Sequence, residues 1–156
     1  MSACLRPMRE DEFPSFLAHA KASYARDMIE NGGLDDALAH RKSEADHASL
    51  YADGLATSGI TVLVVEVDGR PVGHAVLGER TEHGVRSAFL WDLGIQEAER
   101  GRGHGRVALE LVEAEARARG YGRIALNVFG GNEVARRLYR SAGYGETAVT
   151  MAKDLG

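Results

Sequence analysis

The amino-acid sequence predicts an α+β fold, and three observations carry that expectation. Apolar residues at helical spacing fill the first third of the chain. A β-branched stretch with a hairpin turn signal follows, and then a glycine–arginine run joins a third apolar stretch to a new helical pattern. Elements that mix in this order, with hairpins and helices both present, build a mixed sheet-and-helix domain. The 156 residues suffice for one compact unit with a substantial core and are short for two.

Each element has its own signal. Cys4–Arg6 reads as a short first strand. A helix is expected from near Asp11, with Pro14 in its first turn, to Gly32-Gly33, because Phe13, Phe16, Leu17, Ala20, Tyr24 and Met28 share one face. A second helix is expected from Asp35 to about Ala52, with Leu34, Leu38, His47 and Leu50 along its inner side. Ile60–Val67 and Arg70–Glu79 flank Asp68-Gly69, a hairpin dipeptide. After a turn over Thr81–Gly84, Val85–Ile95 is the third strand, with Phe89, Trp91, Leu93 and Ile95 assigned to one side and Asp92 to the other. Gly94 interrupts it where glycine marks a bulge or a close approach. A long helix begins at Val107 and stops at Arg119-Gly120. Arg123–Phe129 reads as a strand, Gly130-Gly131-Asn132 opens a short helix ending at Gly143, and Glu146–Met151 reads as a last strand.

Composition narrows the setting. Hydrophobic residues make up 44% and charged residues 27%, as in ordinary soluble proteins. Cys4 is the only cysteine, so no intrachain disulfide forms, which favours a reducing compartment. Met1–Asp11 lacks the apolar centre of a signal peptide and no apolar run approaches a membrane span, so a cytoplasmic protein without membrane contact is expected. The net charge of -4 is uneven. Up to Ile95 there are 9 Lys and Arg against 15 Asp and Glu, whereas Gln96–Arg140 carries 9 arginines against 6 glutamates. An anionic ligand fits the later part and a cationic one the earlier part. A solvated helix surface explains any single one of these charges equally well.

The chemistry concentrates in Arg100-Gly101-Arg102-Gly103-His104-Gly105-Arg106. Glycines at a strand-to-helix junction let the backbone close around a ligand. The first turn of the following helix supplies unpaired N–H groups and the positive end of a dipole. Together they suit a diphosphate. A dinucleotide fingerprint would need glycine where Arg106 stands, and the Gly-Lys-Ser/Thr of a nucleotide-triphosphate loop is absent. Glycine–arginine runs also occur in RNA-binding tails, but those are repetitive, and this run appears once between apolar elements. Nucleic-acid binding is therefore not expected, and no metal site is.

Two motifs in order resemble the GNAT superfamily of acyl-CoA-dependent N-acyltransferases. Arg100, Gly103 and Gly105 match its pyrophosphate-loop pattern. Asn132, Ala135, Leu138, Tyr139, Gly143 and Tyr144 match its later Asn-x-x-Ala-x-x-Leu-Tyr pattern. The resemblance covers Ile60 to the carboxyl terminus. It implies a mostly antiparallel twisted sheet with helices on both faces and a strand splay at the acyl-CoA site. It also implies one 1–156 unit, with acceptor-side helices in 1–59 and the acyl-CoA core in 60–156. Acetyl-CoA would be the acyl donor, with backbone amides of 100–106 holding the CoA pyrophosphate and the pantetheine arm lying along Leu93, Gly94 and Ile95. Arg100, Arg102 and Arg106 would lie near the phosphates, and a homodimer would be unsurprising in such a protein. His104, where many members carry an aliphatic residue, is expected to pack beside the loop or face solvent.

Three residues have two readings each. Asn132 is a good helix N-cap by itself and, by resemblance, a contact for the pantetheine arm. Tyr139 shares a face with Ala135, Leu138 and Ala142 as a core aromatic would, yet a phenol there could assist the departing thiolate. Asp92 is either a structural carboxylate or the acceptor's proton acceptor. An alkylammonium with pKa ~10.4 is neutral in only about one molecule in 2,500 at pH 7, so an amine acceptor benefits from a base. Glu79 and Asn127 are secondary site-lining candidates, and Cys4 is not expected to act as a nucleophile. The function expected is transfer of an acetyl group to a primary amine in a ternary complex. A regulatory acyl-CoA-binding domain without turnover is the alternative.

Overall fold

A computed structural model describes residues 1–156. Five strands form one sheet in the order of the chain: β1 (Ala3–Pro7), β2 (Ile60–Val67), β3 (Arg70–Glu82), β4 (Val85–Ile95) and β5 (Ile124–Leu126). The first four are antiparallel neighbours, and β5 joins β4 in parallel. Asp68-Gly69 and His83-Gly84 both have positive φ at their two residues, the backbone that lets a two-residue turn follow the twist of a hairpin. The second hairpin is thus tighter than the Thr81–Gly84 turn expected from sequence.

Helices cover both faces. On one face α1 (Phe13–Glu30) and α2 (Asp36–Leu50) precede the sheet, and Phe16 and Ala20 pack with Tyr51, Val62 and Val76. On the other, α3 (His104–Ala118) lays Leu109, Val112 and Ala116 on Leu63, Leu77 and Leu90, with Leu138 and Tyr139 of α4 (Glu133–Ser141) alongside. Each such aliphatic side chain contributes ~1.5–3 kcal/mol on full burial. Asp35 caps α2 by accepting from Leu38 N at 2.8 Å, and Asn132 caps α4 by accepting from Ala135 N at 3.2 Å.

Four sequence expectations need correction. The inner side of α2 is Ala39, Ser43 and His47, while Leu38 is exposed. Small residues win because α2 lies close to α1, where Ser43 Oγ donates to Lys21 O at 2.7 Å. In β4, a bulge lies between the pairs Leu77↔Leu90 and Val76↔Asp92, so Trp91 is an extra residue. The alternation is broken there. Leu93 and Ile95 pack toward α3, whereas the Trp91 ring lies 4.5 Å from Phe89 on the α1 side, the same side as Asp92. The strand expected over Arg123–Phe129 is only three residues long, ending where β4 and β5 diverge. Glu146–Met151 forms no strand. Its first residue, Glu146, is held by Arg136 and by Arg140 (3.3 Å) of α4, so the chain leaves along that helix, and Val149 and Met151 stay exposed.

Candidate active site

β4 and β5 pair only at Ala88↔Ile124, Phe89↔Ala125 and Leu90↔Leu126. Beyond Leu90, β4 continues to Ile95 beside β3 alone, so residues 91–95 present one ladder edge without a strand partner. The bulge at Trp91 starts this divergence, and Asn127 lies just past the end of β5 at the opening. Leu93, Gly94 and Ile95 therefore stand where an extended ligand could take strand-like hydrogen bonds.

The chain then turns through residues 96–103 into α3. Gly101 (φ 77°) and Gly103 (φ 80°) are in the left-handed region that glycine alone enters without cost. No N–H from Gly101 to Arg106 donates within the chain; Val107 is the first that does, to Gly103 O at 3.3 Å. This row of free donors surrounds the positive end of the α3 dipole, an arrangement made for an anion. At Gly105 an added Cβ would already touch Leu138 at 3.4 Å, so α4 packs close against the loop.

The charged side chains of the loop have separate tasks. Arg100 Nε donates to Ile95 O at 3.1 Å, tying the loop to the end of β4. Arg106 donates to Ser141 Oγ at 2.7 Å and Ser141 O at 3.2 Å, so it joins α3 to α4 and does not extend over the loop. Glu99 accepts from Arg70 at 2.6 Å, which holds its carboxyl below the usual range, and Arg102 and His104 each approach it at 3.6 Å. His104 is buried and does not face solvent, one of the two placements expected for it, with Nδ1 unpartnered.

Tyr139 packs on the core that includes Ala88 and Leu90, tilted against Tyr144 at 5.6 Å, and its hydroxyl has no partner in the chain. Burial, and then the charges of Asp92 and Asp27, push its pKa up to about 12. Asn132 Oδ1 is committed to capping α4, which leaves its amide N–H groups for other contacts. Asp92 and Tyr139 thus stand within electrostatic reach of one another. Sequence reasoning missed two neighbours of Asp92. His74 on β3 brings Nε2 to 3.0 Å from Asp92 Oδ2. Tyr51, just after α2, has its phenol pKa raised by burial and by the Asp92 charge. The one available signal was Gly94, which sits opposite His74 in the ladder. Glu79 does not reach the site: Arg86 (2.6 Å) and Tyr121 (2.7 Å) engage it at the surface. Cys4 is exposed on β1, away from these residues.

A concavity of about 780 Å³ lies elsewhere, between α3, β5 and the segment after α4, and is lined by Glu113, Arg117, Tyr121 and Tyr144 among others. It is open and includes none of the loop residues, so the splay with its free amides is the better site. No helix is long and apolar enough to cross a membrane.

A sheet that splays beside a glycine-rich helix N-terminus is a site shaped for an extended ligand that carries an anionic group. The chain belongs to the acetyltransferase (GNAT) family, whose model matches residues 16–144. It is 31% identical to YycN and 32% identical to YdgE of Bacillus subtilis (strain 168), both named as uncharacterized N-acetyltransferases. The YycN match spans 99% of this chain and 100% of that protein, and the YdgE match 99% of each. The crystal structure of Bacillus subtilis YycN superposes with a TM-score of 0.91, covering 99% of both chains. A GNAT-family structure from Ralstonia eutropha JMP134, 21% identical and covering 99% of this chain and 100% of that one, shares the fold at a TM-score of 0.72. The sequence resemblance to the superfamily is thereby established, and the chain is an acyltransferase.

Proposed function

We propose that this protein transfers an acetyl group from acetyl-CoA to a primary amine by direct attack in a ternary complex. One observation carries the donor assignment: the N–H groups of residues 101–106 are free in a glycine loop that opens α3. They would hold the pyrophosphate, while the unpaired edge of Leu93, Gly94 and Ile95 would pair with the pantetheine amides and bring the thioester to the splay. Asn132 amide N–H groups would reach the same arm. The whole chain acts as one unit, 1–59 supplying the acceptor side and 60–156 the donor side.

Chemistry then falls to Tyr139 and Asp92. As the amine nitrogen bonds to the thioester carbon and the C–S bond breaks, the sulfur becomes a thiolate. The Tyr139 hydroxyl, kept protonated by its raised pKa, donates a hydrogen bond to it. Asp92 supplies the negative charge that draws an ammonium in, and its carboxylate provides for acceptance of the ammonium proton, directly or through a neighbouring group. The donor assignment is tested by titrating folded protein with CoA and acetyl-CoA in a calorimeter; no binding at millimolar ligand refutes it. The mechanism is tested by following thiol release across an amine panel. Intersecting initial-velocity lines are expected, and parallel lines would replace direct transfer by an acyl-enzyme route.

A further inference from the structure

Asp92 does not stand alone on the α1 face of the sheet. His74 pairs with Gly94 and Asp92 with Val76, so the imidazole and the carboxylate are side by side, Nε2 to Oδ2 at 3.0 Å. The imidazole is confined from two directions. The Phe16 ring meets it edge-on at 4.9 Å. On the other side, a Cβ at position 94 would come within 2.4 Å of His74 Cε1, so the ring occupies the space that Gly94 leaves free. His74 Nε2 is sealed from solvent 3.0 Å from Asp92 Oδ2, an ion-pair distance but out of line for a hydrogen bond, while Nδ1 has no partner in the chain and is not sealed. A carboxylate beside one imidazole nitrogen keeps the proton there and leaves a lone pair on the other. Asp92 from β4 is the titratable group beside His74, and Tyr51 after α2 and Tyr139 of α4 both feel the Asp92 charge; α1 contributes Phe16, and β2 contributes Val64 at the paired position.

We propose that His74 is the group that takes the proton from the acceptor ammonium, with Asp92 acting on the imidazole and not on the amine. This rests on the N-acetyltransferase function proposed for the same site. The steps balance. An N–H bond of the ammonium breaks, its electron pair stays on nitrogen, and the proton joins the Nδ1 lone pair. Asp92 balances the resulting imidazolium. The nitrogen pair then forms the bond to the thioester carbon, and the C–S pair leaves on sulfur. A second N–H proton, lost as the amide forms, ends on that sulfur. The imidazolium returns its proton to solvent.

A base is needed only when the acceptor arrives protonated, and this separates a proton-transfer role from a structural one. The test compares wild-type protein with His74→Gln, whose amide nitrogen can keep the contact to Asp92, on two nucleophile classes. The first comprises the alkylamines 1,4-diaminobutane, benzylamine and lysine amide. The second is methoxyamine, which is neutral at pH 7. Loss of ~10²-fold in kcat is expected for H74Q with the alkylamines, and less than about threefold with methoxyamine. Raising the pH from 7 to 9 is expected to restore alkylamine turnover of H74Q by up to about a hundredfold, as the free amine fraction rises tenfold per unit. D92N should show the same acceptor dependence, and the double variant should be no worse than H74Q. CoA affinity and melting temperature of H74Q serve as the folding control. Equal losses on both nucleophile classes, or alkylamine turnover within threefold of wild type, overturn the assignment. Wild-type protein that binds CoA but releases no thiol with either class overturns the N-acetyltransferase function itself, and this assignment with it.

Discussion

Gly94→Ala is the most direct probe of how the acceptor side is packed. The added methyl would lie 2.4 Å from His74 Cε1 and 2.9 Å from Nε2, far inside contact distance. The imidazole has little room to yield, because its side chain is only 16% exposed and the Phe16 ring stands 4.9 Å away. Overpacking of this kind costs ~1–3 kcal/mol, which for a chain of this size lowers Tm by roughly 2–10 °C. Gly122→Ala is the matched control, since no atom lies within 4 Å of a Cβ there and its φ is ordinary. It should be neutral or slightly stabilising. The decisive measurement is a double-mutant cycle by urea denaturation. If His74 is the obstacle, His74→Ala should recover at least half of the Gly94→Ala loss, a coupling of ~0.5–2 kcal/mol. Gly94→Ala as stable as wild type, or strict additivity with His74→Ala, would refute this account of the packing.

Tyr139→Phe should leave CoA affinity within about twofold and lower kcat by ~10- to 150-fold, the worth of one hydrogen bond to a charged acceptor; unchanged single-turnover chemistry would remove the role. Gly103→Ala forces a β-carbon into φ 80° and should cost ~1–2 kcal/mol of stability, with CoA affinity by calorimetry falling about tenfold as the amides are re-aimed. Glu12 accepts from both Arg6 nitrogens at 2.8 and 2.9 Å and from Arg9 N, contacts that hold its pKa down to about 2. A depressed carboxyl stabilises the fold above its unfolded pKa near ~4.5 and loses that contribution as pH falls toward 2. Allowing for solvent screening at this partly exposed pair, Glu12→Gln should cost about 1–2 kcal/mol at pH 7 and only a small fraction of that at pH 2, read from urea midpoints across pH.

The glycine loop that opens α3 was legible because it is built from backbone and local signals. A loop that binds through N–H groups needs glycines with positive φ and a helix start, and Gly101, Gly103 and the pattern from Val107 write both into consecutive residues. Asn132 announced the α4 cap in the same way. The cluster around Asp92 was not legible, because Phe16, Tyr51, His74 and Asp92 come from four separate segments. Their meeting depends on one irregularity. Counting back from the tight turn pair Glu82↔Val85 in an unbroken ladder places His74 opposite Leu93; the extra residue Trp91 moves it opposite Gly94. Nothing in the spelling of β4 marks Trp91 as that residue. The last strand failed for a related reason. Alternation in Glu146–Met151 describes a chain that could pair, but pairing requires a neighbour, and the arginines of α4 hold Glu146 first.

The charges around Asp92 make the two proton movements interdependent. With Asp92 ionised and unopposed, Tyr139 is a poor acid: moving its proton from about 12 to a thiolate of pKa ~8.5 is uphill by roughly 5 kcal/mol. The phenol then serves best as a hydrogen-bond donor. Protonating His74 would place a positive charge 3.0 Å from Asp92 and offset the Asp92 part of the rise in the phenol pKa, of which burial is the larger cause. On the proposed mechanism Tyr139 would then be a better donor once the acceptor has given up its proton, which is when the thiolate would form. Such an arrangement would tie leaving-group assistance to nucleophile activation without contact between the two groups. It follows that H74Q should weaken the Tyr139 contribution: Tyr139→Phe in the H74Q background should cost less in alkylamine kcat than in wild type. Equal cost in both backgrounds would show that the phenol responds to burial alone.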